Sequence, residues 1–529
     1  MSLFHSTVSR REFMKFMGVA GAGVGVAALT APVFHDLDEL AASAGGVMKR
    51  PWFVKERAIN DPTIEIDWSL IKRADCRLNG QSQHGMATYY GPDRAENCTT
   101  VGNKVHDDAA AANKPGYSYK NEALGTSKAS NWPAYVSQTW EGTTTNATWT
   151  KGGGAAYAPA QTPAQRGAAK WTGTPEEGTQ MLAAYMRYRG AGLVGFGELT
   201  GDVKNKVISA NHKGPTAGFT RPATGLSDNA PIGNSACPTI VFEDVDQGYI
   251  GTFNGNAGGK FVIPNKSMNY ISMFNPGNPD RGRGGPSCQQ QGATQDTAAP
   301  AVYVSTYNFL RYLGYQWLGQ DSDDGTPFIE NAAAVLSGVG EAARQNLYTL
   351  TPEYGNMGRI HNNLTDLPLA PTKPIDAGMF KFCHSCHKCA DYCPPGSITQ
   401  DKQPSWELPQ IDNSTTGIKN NYLHNPGTKA FWNNTASCML YFRESYACFQ
   451  CWGNCTFTTN QGAMAHMLVR SVIPNFSLLN GFFYKMGEAF GYGDDVTNQK
   501  AEDWWNYSLP VLGTDTARVA FDGGYSKWT

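Results

Sequence analysis

The chain has 529 residues, more than one hydrophobic core usually holds, so two or three folded units are expected. Apolar residues make up 41% and charged residues 17%, a balance that suits a compact globular enzyme and excludes a disordered scaffold. The formal net charge of −2 excludes nucleic acid as a sequence-independent partner, since that grip needs a basic surface to neutralise phosphates.

The first element is a targeting pattern. Ser9-Arg10-Arg11-Glu12-Phe13-Met14-Lys15 precedes an apolar stretch from Phe16 to Pro32, and Ala42-Ser43-Ala44 offers a cleavage site. A twin arginine before a modest apolar run is the address of the Tat export system. A membrane anchor is the other reading, but a span wants roughly 18 or more apolar residues and the glycines dilute this run. Tat cargo crosses folded, so a cofactor loaded in the cytoplasm can be exported intact. No later stretch is long and apolar enough to span a bilayer, which places the mature chain peripherally on the outer face of the cytoplasmic membrane.

Residues 45–170 read as mixed and loop-rich. A helix start follows: Thr174 caps, Pro175 suits the first turn, and Glu177 completes a capping box. Met181, Leu182, Tyr185 and Met186 continue it at helical spacing to Arg189, and Leu193–Phe196 reads as a buried strand. Lys260–Pro264 and Tyr270–Phe274 are further strands. Ala301–Tyr315 is an apolar helix ending in Leu313-Gly314-Tyr315, and Asn331–Arg344 is another, bent or tightly packed at Gly338 and Gly340. No P-loop appears and no G-x-G-x-x-G stands between a strand and a helix, so a nucleotide cofactor is not indicated.

Eight of the twelve cysteines lie between Cys383 and Cys455. Cys383-x2-Cys386-x2-Cys389-x3-Cys393-Pro394 is the bacterial ferredoxin run, in which three thiolates wrap one cubane and the fourth ligates the other. Cys448-x2-Cys451-x3-Cys455, with Cys438 ten residues earlier, is an irregular second run. Crossed ligation assigns Cys383, Cys386, Cys389 and Cys455 to one [4Fe–4S] cluster, and Cys393, Cys438, Cys448 and Cys451 to the other. Zinc is the competing reading and prefers paired C-x2-C ligands. His384 and His387 interleave the ligands and read as loop residues, because the cysteines already fill the count.

These features together resemble the corrinoid- and iron–sulfur-dependent reductive dehalogenases of organohalide-respiring bacteria. The resemblance rests on the twin-arginine signal, Gly190–Gly195, Leu313-Gly314-Tyr315, Gly338-Val339-Gly340-Glu341 and Thr351–Gly355 through Arg359. Thr365–Leu369, Lys373–Asp376 and the late block Asn480–Gly493 extend it. It implies an α/β (α+β) fold, with a nitroreductase-like corrinoid-binding core and a C-terminal two-cluster ferredoxin-like module. The implied division is a signal peptide at 1–44, a loop-rich region at 45–170 and a corrinoid and substrate core at 171–370. A ferredoxin-like module at 371–460 and a C-terminal segment packing on the core at 461–529 complete it.

The implied activity is replacement of halide by hydrogen on an organohalide, chlorinated by expectation, as terminal reductase of organohalide respiration. The implied partners are a small membrane anchor protein and an electron donor of the respiratory chain. In similar enzymes a tyrosine near the start of the helix leading to L-G-Y acts as acid, assisted by an arginine. Arg359 matches the arginine; the acid's place falls near Asp296, with Tyr303 and Tyr307 on the same helix as the other candidates. Two rival readings stand beside this one: a corrinoid/iron–sulfur enzyme of the epoxyqueuosine reductase type, and an exported ferredoxin without catalysis. The long α/β region upstream of Cys383 argues against the second.

Overall fold

The structure is a computed structural model that describes residues 50–51, 53–76, 83–126, 149–151, 155–157, 160–211, 233, 237–285, 298–319, 327–346, 348–410, 424–459, 470, 480–489 and 492–506. The signal segment 1–44, Asp296 and Cys288 lie outside the described residues. In chain order the strands are β1 (Lys55–Glu56), β2 (Trp149–Lys151), β3 (Ala155–Tyr157), β4 (Leu193–Glu198), β5 (Thr239–Glu243) and β6 (Tyr249–Phe253). They continue as β7 (Asn256–Pro264), β8 (Asn269–Pro276), β9 (Leu318–Gly319), β10 (Gly358–Thr365) and β11 (Ile375–Asp376).

The centre is a four-stranded antiparallel sheet in the order β4-β8-β10-β9. Side chains alternate across it, so each face is set by the register. Val194, Phe196, Ile271 and Met273 point to one face and pack with Leu182 and Met186 of the Pro175–Tyr188 helix. Val302, Tyr303 and Leu310 of the Ala298–Leu313 helix close the same core. The Pro175–Tyr188 helix starts as its sequence dictates: the Thr174 hydroxyl accepts from Glu177 N, and the Glu177 carboxylate accepts from Thr174 N at 2.8 Å. On the other face, Leu193, Phe274 and Ile360 meet Ala447, Phe449 and Trp452, which flank Cys448 and Cys451. The thiol-bearing segment is therefore bolted directly to the back of the sheet.

Two expectations change. Asn331–Arg344 is not one helix: the helix is Glu330–Leu336 and stops because Gly338 turns to φ 75°, where its missing Cβ leaves room for the Lys373 carbonyl. The region 45–170 is also less loop-rich than read, for it holds a 20-residue helix, Pro92–Ala111. Its buried stripe is Ala95, Cys98, Gly102, His106 and Ala109, spaced at helical intervals but built from small residues that carry little hydrophobic signal. That stripe packs on the Thr435–Glu444 helix, which carries Cys438, with Cys98 and Ala95 against Met439 and Leu440. Gly102 sits against the Arg443 carbonyl with no space for a methyl group. Gly102→Ala is expected to cost about 1–3 kcal/mol in thermal unfolding, the usual penalty of overpacking.

The late segments thread back into the molecule. Asp495 N donates to Arg283 O at 2.9 Å, and Glu502 accepts from Gly116 N at 2.9 Å and from Asn121 Nδ2 at 2.6 Å. Among the described residues no helix is long and apolar enough to cross a membrane.

Candidate cofactor and active site

The four thiols of the first run and its partner meet across the chain fold. Cys383 ends the Met379–Cys383 helix, Cys386 and Cys389 flank the start of Lys388–Asp391, and Cys455 follows Gln450–Gly453. Cys383, Cys386, Cys389 and Cys455 line one cavity, closed on the core side by Ala343, Arg344, Leu350 and Phe382. Burial and mutual repulsion push the Cys383 and Cys389 thiols far above their ordinary range, and burial lifts Cys455 to about 11. Such thiols are ionised only when a bound cation compensates their charge.

The second group gathers on the other side of the Lys388–Asp391 helix. Cys438 has Cys448 and Cys393 as electrostatic neighbours, and Cys451 has Cys438, Cys448 and Cys393 together with Cys389 of the first group. Burial is again the main cause, lifting Cys448 to about 12. Ser397 N donates to Cys393 Sγ at 3.2 Å, and the Ser397 hydroxyl meets that of Ser437, next to Cys438, at 2.6 Å. Asn434 caps the Cys438 helix by accepting from Ser437 N at 3.0 Å. Cys393 thus sits with Cys438, Cys448 and Cys451 rather than with its own neighbours in sequence.

His387 and His384 are otherwise engaged. His387 Nδ1 lies 2.9 Å from Gln400 Oε1 at the surface, and His384 stands edge-on between Phe380 and Phe431. All eleven cysteines among the described residues are free of disulfides. No group of three or more His, Cys, Asp or Glu among those residues converges as the ligands of one metal ion do.

Sequence reasoning missed the segment that grips the first thiol group. Glu341, wholly buried, accepts from the backbone N–H of Ala377, Met379 and Phe380, which opens the helix ending in Cys383. Three residues later Arg344, also wholly buried, donates to Cys383 O at 2.5 Å and Cys386 O at 2.8 Å. It also reaches Thr399 O and Asp401 O and stacks on Phe431 at 4.2 Å. The Gly-x-Gly-Glu block was visible as a motif, but its hold on the cysteine loop is set by contacts about 40 residues apart in sequence.

Burial outweighs the three N–H donors at Glu341 and raises its pKa from 4.5 to about 7. The folded chain therefore holds a proton there that the unfolded chain has lost. Stability falls as pH rises from roughly 4.5 to 7, by about 3 kcal/mol from this group. Thermal unfolding at about pH 5 and pH 8 measures the slope, and Glu341→Gln is expected to flatten it.

Arg359 lies on β10 directly opposite Asn275 of β8, on the face covered by the Ala298–Leu313 helix. Asn275 and Asn363 on this face, and Gln345 at the cavity, are buried amides whose side-chain donors and acceptors all lack partners. Tyr303 is wholly buried, with its hydroxyl beside Gly319 and Asn363 and its ring edge-on to Trp317 at 5.2 Å. It is two side-chain pairs up the strand from Arg359. The helix end leads through Gln316, whose N donates to Asp366, so the helix runs toward that end of β10 and begins toward the Arg359 end. Tyr307, half-buried against the core, is one turn farther from Arg359.

Comparison with known proteins now bears on these features. The profile of a family described as reductive dehalogenase subunit matches residues 49–369. The chloroethene reductive dehalogenase of Dehalococcoides mccartyi strain VS is 30% identical, over 97% of this chain and 99% of that protein. The trichloroethene reductive dehalogenase of strain ATCC BAA-2266 of the same species is 30% identical over 96% and 98%. A solved catabolic reductive dehalogenase in complex with 3-bromo-4-hydroxybenzoic acid superposes with a TM-score of 0.52 at 15% identity. That superposition covers 84% of this chain and half the length of the other, and it shows a shared mixed helix-and-sheet fold. The chain belongs to the reductive dehalogenase family. It is an oxidoreductase acting on carbon–halogen bonds.

Proposed function

We propose that this enzyme replaces halide by hydrogen on a small chlorinated organohalide, using a corrinoid fed by two [4Fe–4S] clusters. The names of its full-length relatives support a chlorinated ethene as substrate. The observation that carries the reading is the gathering of eight thiols into two groups of four, one packed among Phe382, Phe431 and Phe457 and the other behind the central sheet. Cys383, Cys386, Cys389 and Cys455 hold one cluster, and Cys393, Cys438, Cys448 and Cys451 the other. Zinc prefers paired C-x2-C ligands, and the triply spaced run ending in Cys393-Pro394 suits a cubane better.

The sheet with its covering helices serves as the nitroreductase-like core, and residues 371–460 serve as the ferredoxin-like module. Asn275 and Asn363, on one face of the sheet, fit the amide-rimmed edge of a corrinoid, which would satisfy buried groups that otherwise cost stability. Bound there, the corrinoid supplies reduced cobalt to engage the carbon–halogen bond or the halogen. The balance is R–X + 2e⁻ + H⁺ → R–H + X⁻. Arg359 holds a positive charge beside the reacting centre, where it favours departing halide and keeps a neighbouring acid ready to give its proton. The proton comes from the first part of the Ala298–Leu313 segment, from Asp296 or the Tyr303 hydroxyl, with Tyr307 more remote.

Export by the twin-arginine signal, attachment through a small anchor protein and supply from a respiratory electron donor complete the proposal. The test is halide release from chlorinated ethenes, alkanes and aromatics with reduced viologen, alongside corrin absorbance of the purified protein. Release with corrin present is expected; absence of corrin, or failure on every class with all cofactors loaded, sinks the reading.

A further inference from the structure

The two thiol groups stand in opposite electrostatic surroundings. Around the first, four cations are buried. Arg344 grips the Cys383 and Cys386 carbonyls. Lys388 lines the same cavity as the four thiols and donates from Nζ to Tyr492 O at 3.0 Å. Arg470, buried, donates to Phe457 O at 3.1 Å and Thr459 O at 3.2 Å, just beyond Cys455. Arg283, also buried, lies behind Lys388 and reaches Thr458 O.

Acidic groups near this set are already engaged. Glu353, near Arg470, pairs with Arg50 at 3.0 Å, and Glu341 is spent on three backbone N–H groups. Glu488, near Lys388, accepts from the Tyr392 hydroxyl at 2.8 Å. The second group has no such cations among its strongest described electrostatic neighbours. It faces half-buried Asp494, which acts on Cys448, although burial pushes that carboxyl toward its neutral form and Gln450 and Lys500 lie beside it.

Hydrogen bonds reach sulfur in both sets, so the cations rather than the N–H donors separate them. Cys386 receives Lys388 N and lies 3.5 Å from the Thr456 hydroxyl, while Cys455 receives Phe457 N, Thr458 N going instead to the Cys455 carbonyl at 2.9 Å. The second set shows Ser397 N on Cys393 and Gln450 N on Cys448.

A [4Fe–4S]²⁺ cluster gains one negative charge when it takes an electron, so nearby cations and N–H donors favour the reduced form and a carboxylate opposes it. We propose that the cluster held by Cys383, Cys386, Cys389 and Cys455 accepts the first electron, and that Arg344, Lys388 and Arg470 set this order against Asp494 at the other cluster. The electron comes from an external low-potential one-electron donor. Cluster one is then the reservoir and cluster two the harder-to-reduce site. The inference rests on the two-cluster reading above.

Potentiometric titration of the purified full chain, followed by electron paramagnetic resonance, tests it. Arg344→Gln is expected to shift the earlier-reduced cluster at least tenfold toward the oxidised form at fixed potential, about 59 mV for a one-electron couple, leaving the later one in place. Arg344→Lys, which keeps the charge, should restore most of that shift, and Asp494→Asn should ease reduction of the later cluster alone. In Cys393→Ser the surviving cluster should keep the higher midpoint.

A shift of the later-reduced cluster in Arg344→Gln, or no shift with both clusters retained, overturns the order. If Arg344→Gln loses iron, Asp494→Asn decides: movement of the earlier cluster overturns the proposal and movement of the later one upholds it. Absence of iron and acid-labile sulfide from the wild-type chain is a separate result, for it removes the two-cluster reading itself.

Discussion

Arg359→Lys lowers halide release at saturating substrate about 10²-fold, and Arg359→Gln lowers it further, toward about 10⁴-fold. The position explains the size. Arg359 is held on β10 by eight consecutive residue pairs with β8, opposite Asn275, so its guanidinium cannot be replaced by a neighbour. Lysine keeps the charge but loses the planar fork that fixes direction. The neutral variant also removes the field that depresses a nearby acid's pKa, so the basic limb of its pH–rate profile moves upward. Steady-state halide release, with iron and corrinoid contents measured on the same samples, checks both effects. A kcat within twofold of wild type for Arg359→Gln would remove Arg359 from the reaction.

Cys393→Ser and Cys389→Ser, four residues apart, should destroy different clusters. Cys393→Ser loses the cluster shared with Cys438, Cys448 and Cys451 and keeps the other; Cys389→Ser does the reverse. Each variant is expected to retain about half the iron and acid-labile sulfide and to stop turnover with an external donor. The double variant Cys393→Ser/Cys438→Ser should lose no more iron than either single one, since both residues serve one site. Equal loss of both clusters from either single variant would argue against crossed ligation. Cys438 is the most demanding member of its set, because its helix is held by Gly102 and Cys98 from a segment more than 300 residues upstream.

Much of the site was legible because its chemistry depends on residue type and spacing. The C-x2-C-x2-C-x3-C-P run is legible from spacing alone, and the capping box at Thr174, a contact within a few residues, forms as read. The Pro92–Ala111 helix was not legible, since a stripe of alanine, cysteine and glycine becomes apolar only when something packs on it. Nor did periodicity disclose that the Asn331–Arg344 run breaks at Gly338, where the Lys373 carbonyl comes too close for a side chain.

The sequence by itself set apart eight clustered thiols in ferredoxin-like spacing and placed strands at Leu193–Phe196 and Tyr270–Phe274, inside the observed Leu193–Glu198 and Asn269–Pro276, while Arg359 came from the resemblance to the family. The thiol runs and the strands are local features, and local rules of spacing and alternation suffice for them. Only the tertiary structure decided which charges surround each thiol group. Lys388 stands inside the cysteine run, but Arg344 and Arg470 come from separate stretches, and nothing in their own neighbourhoods marks them as buried beside the same sulfurs. Desolvation and Coulomb energy depend on distance through the fold rather than along the chain, so the electrostatic character of the relay appears only once the chain has closed around it.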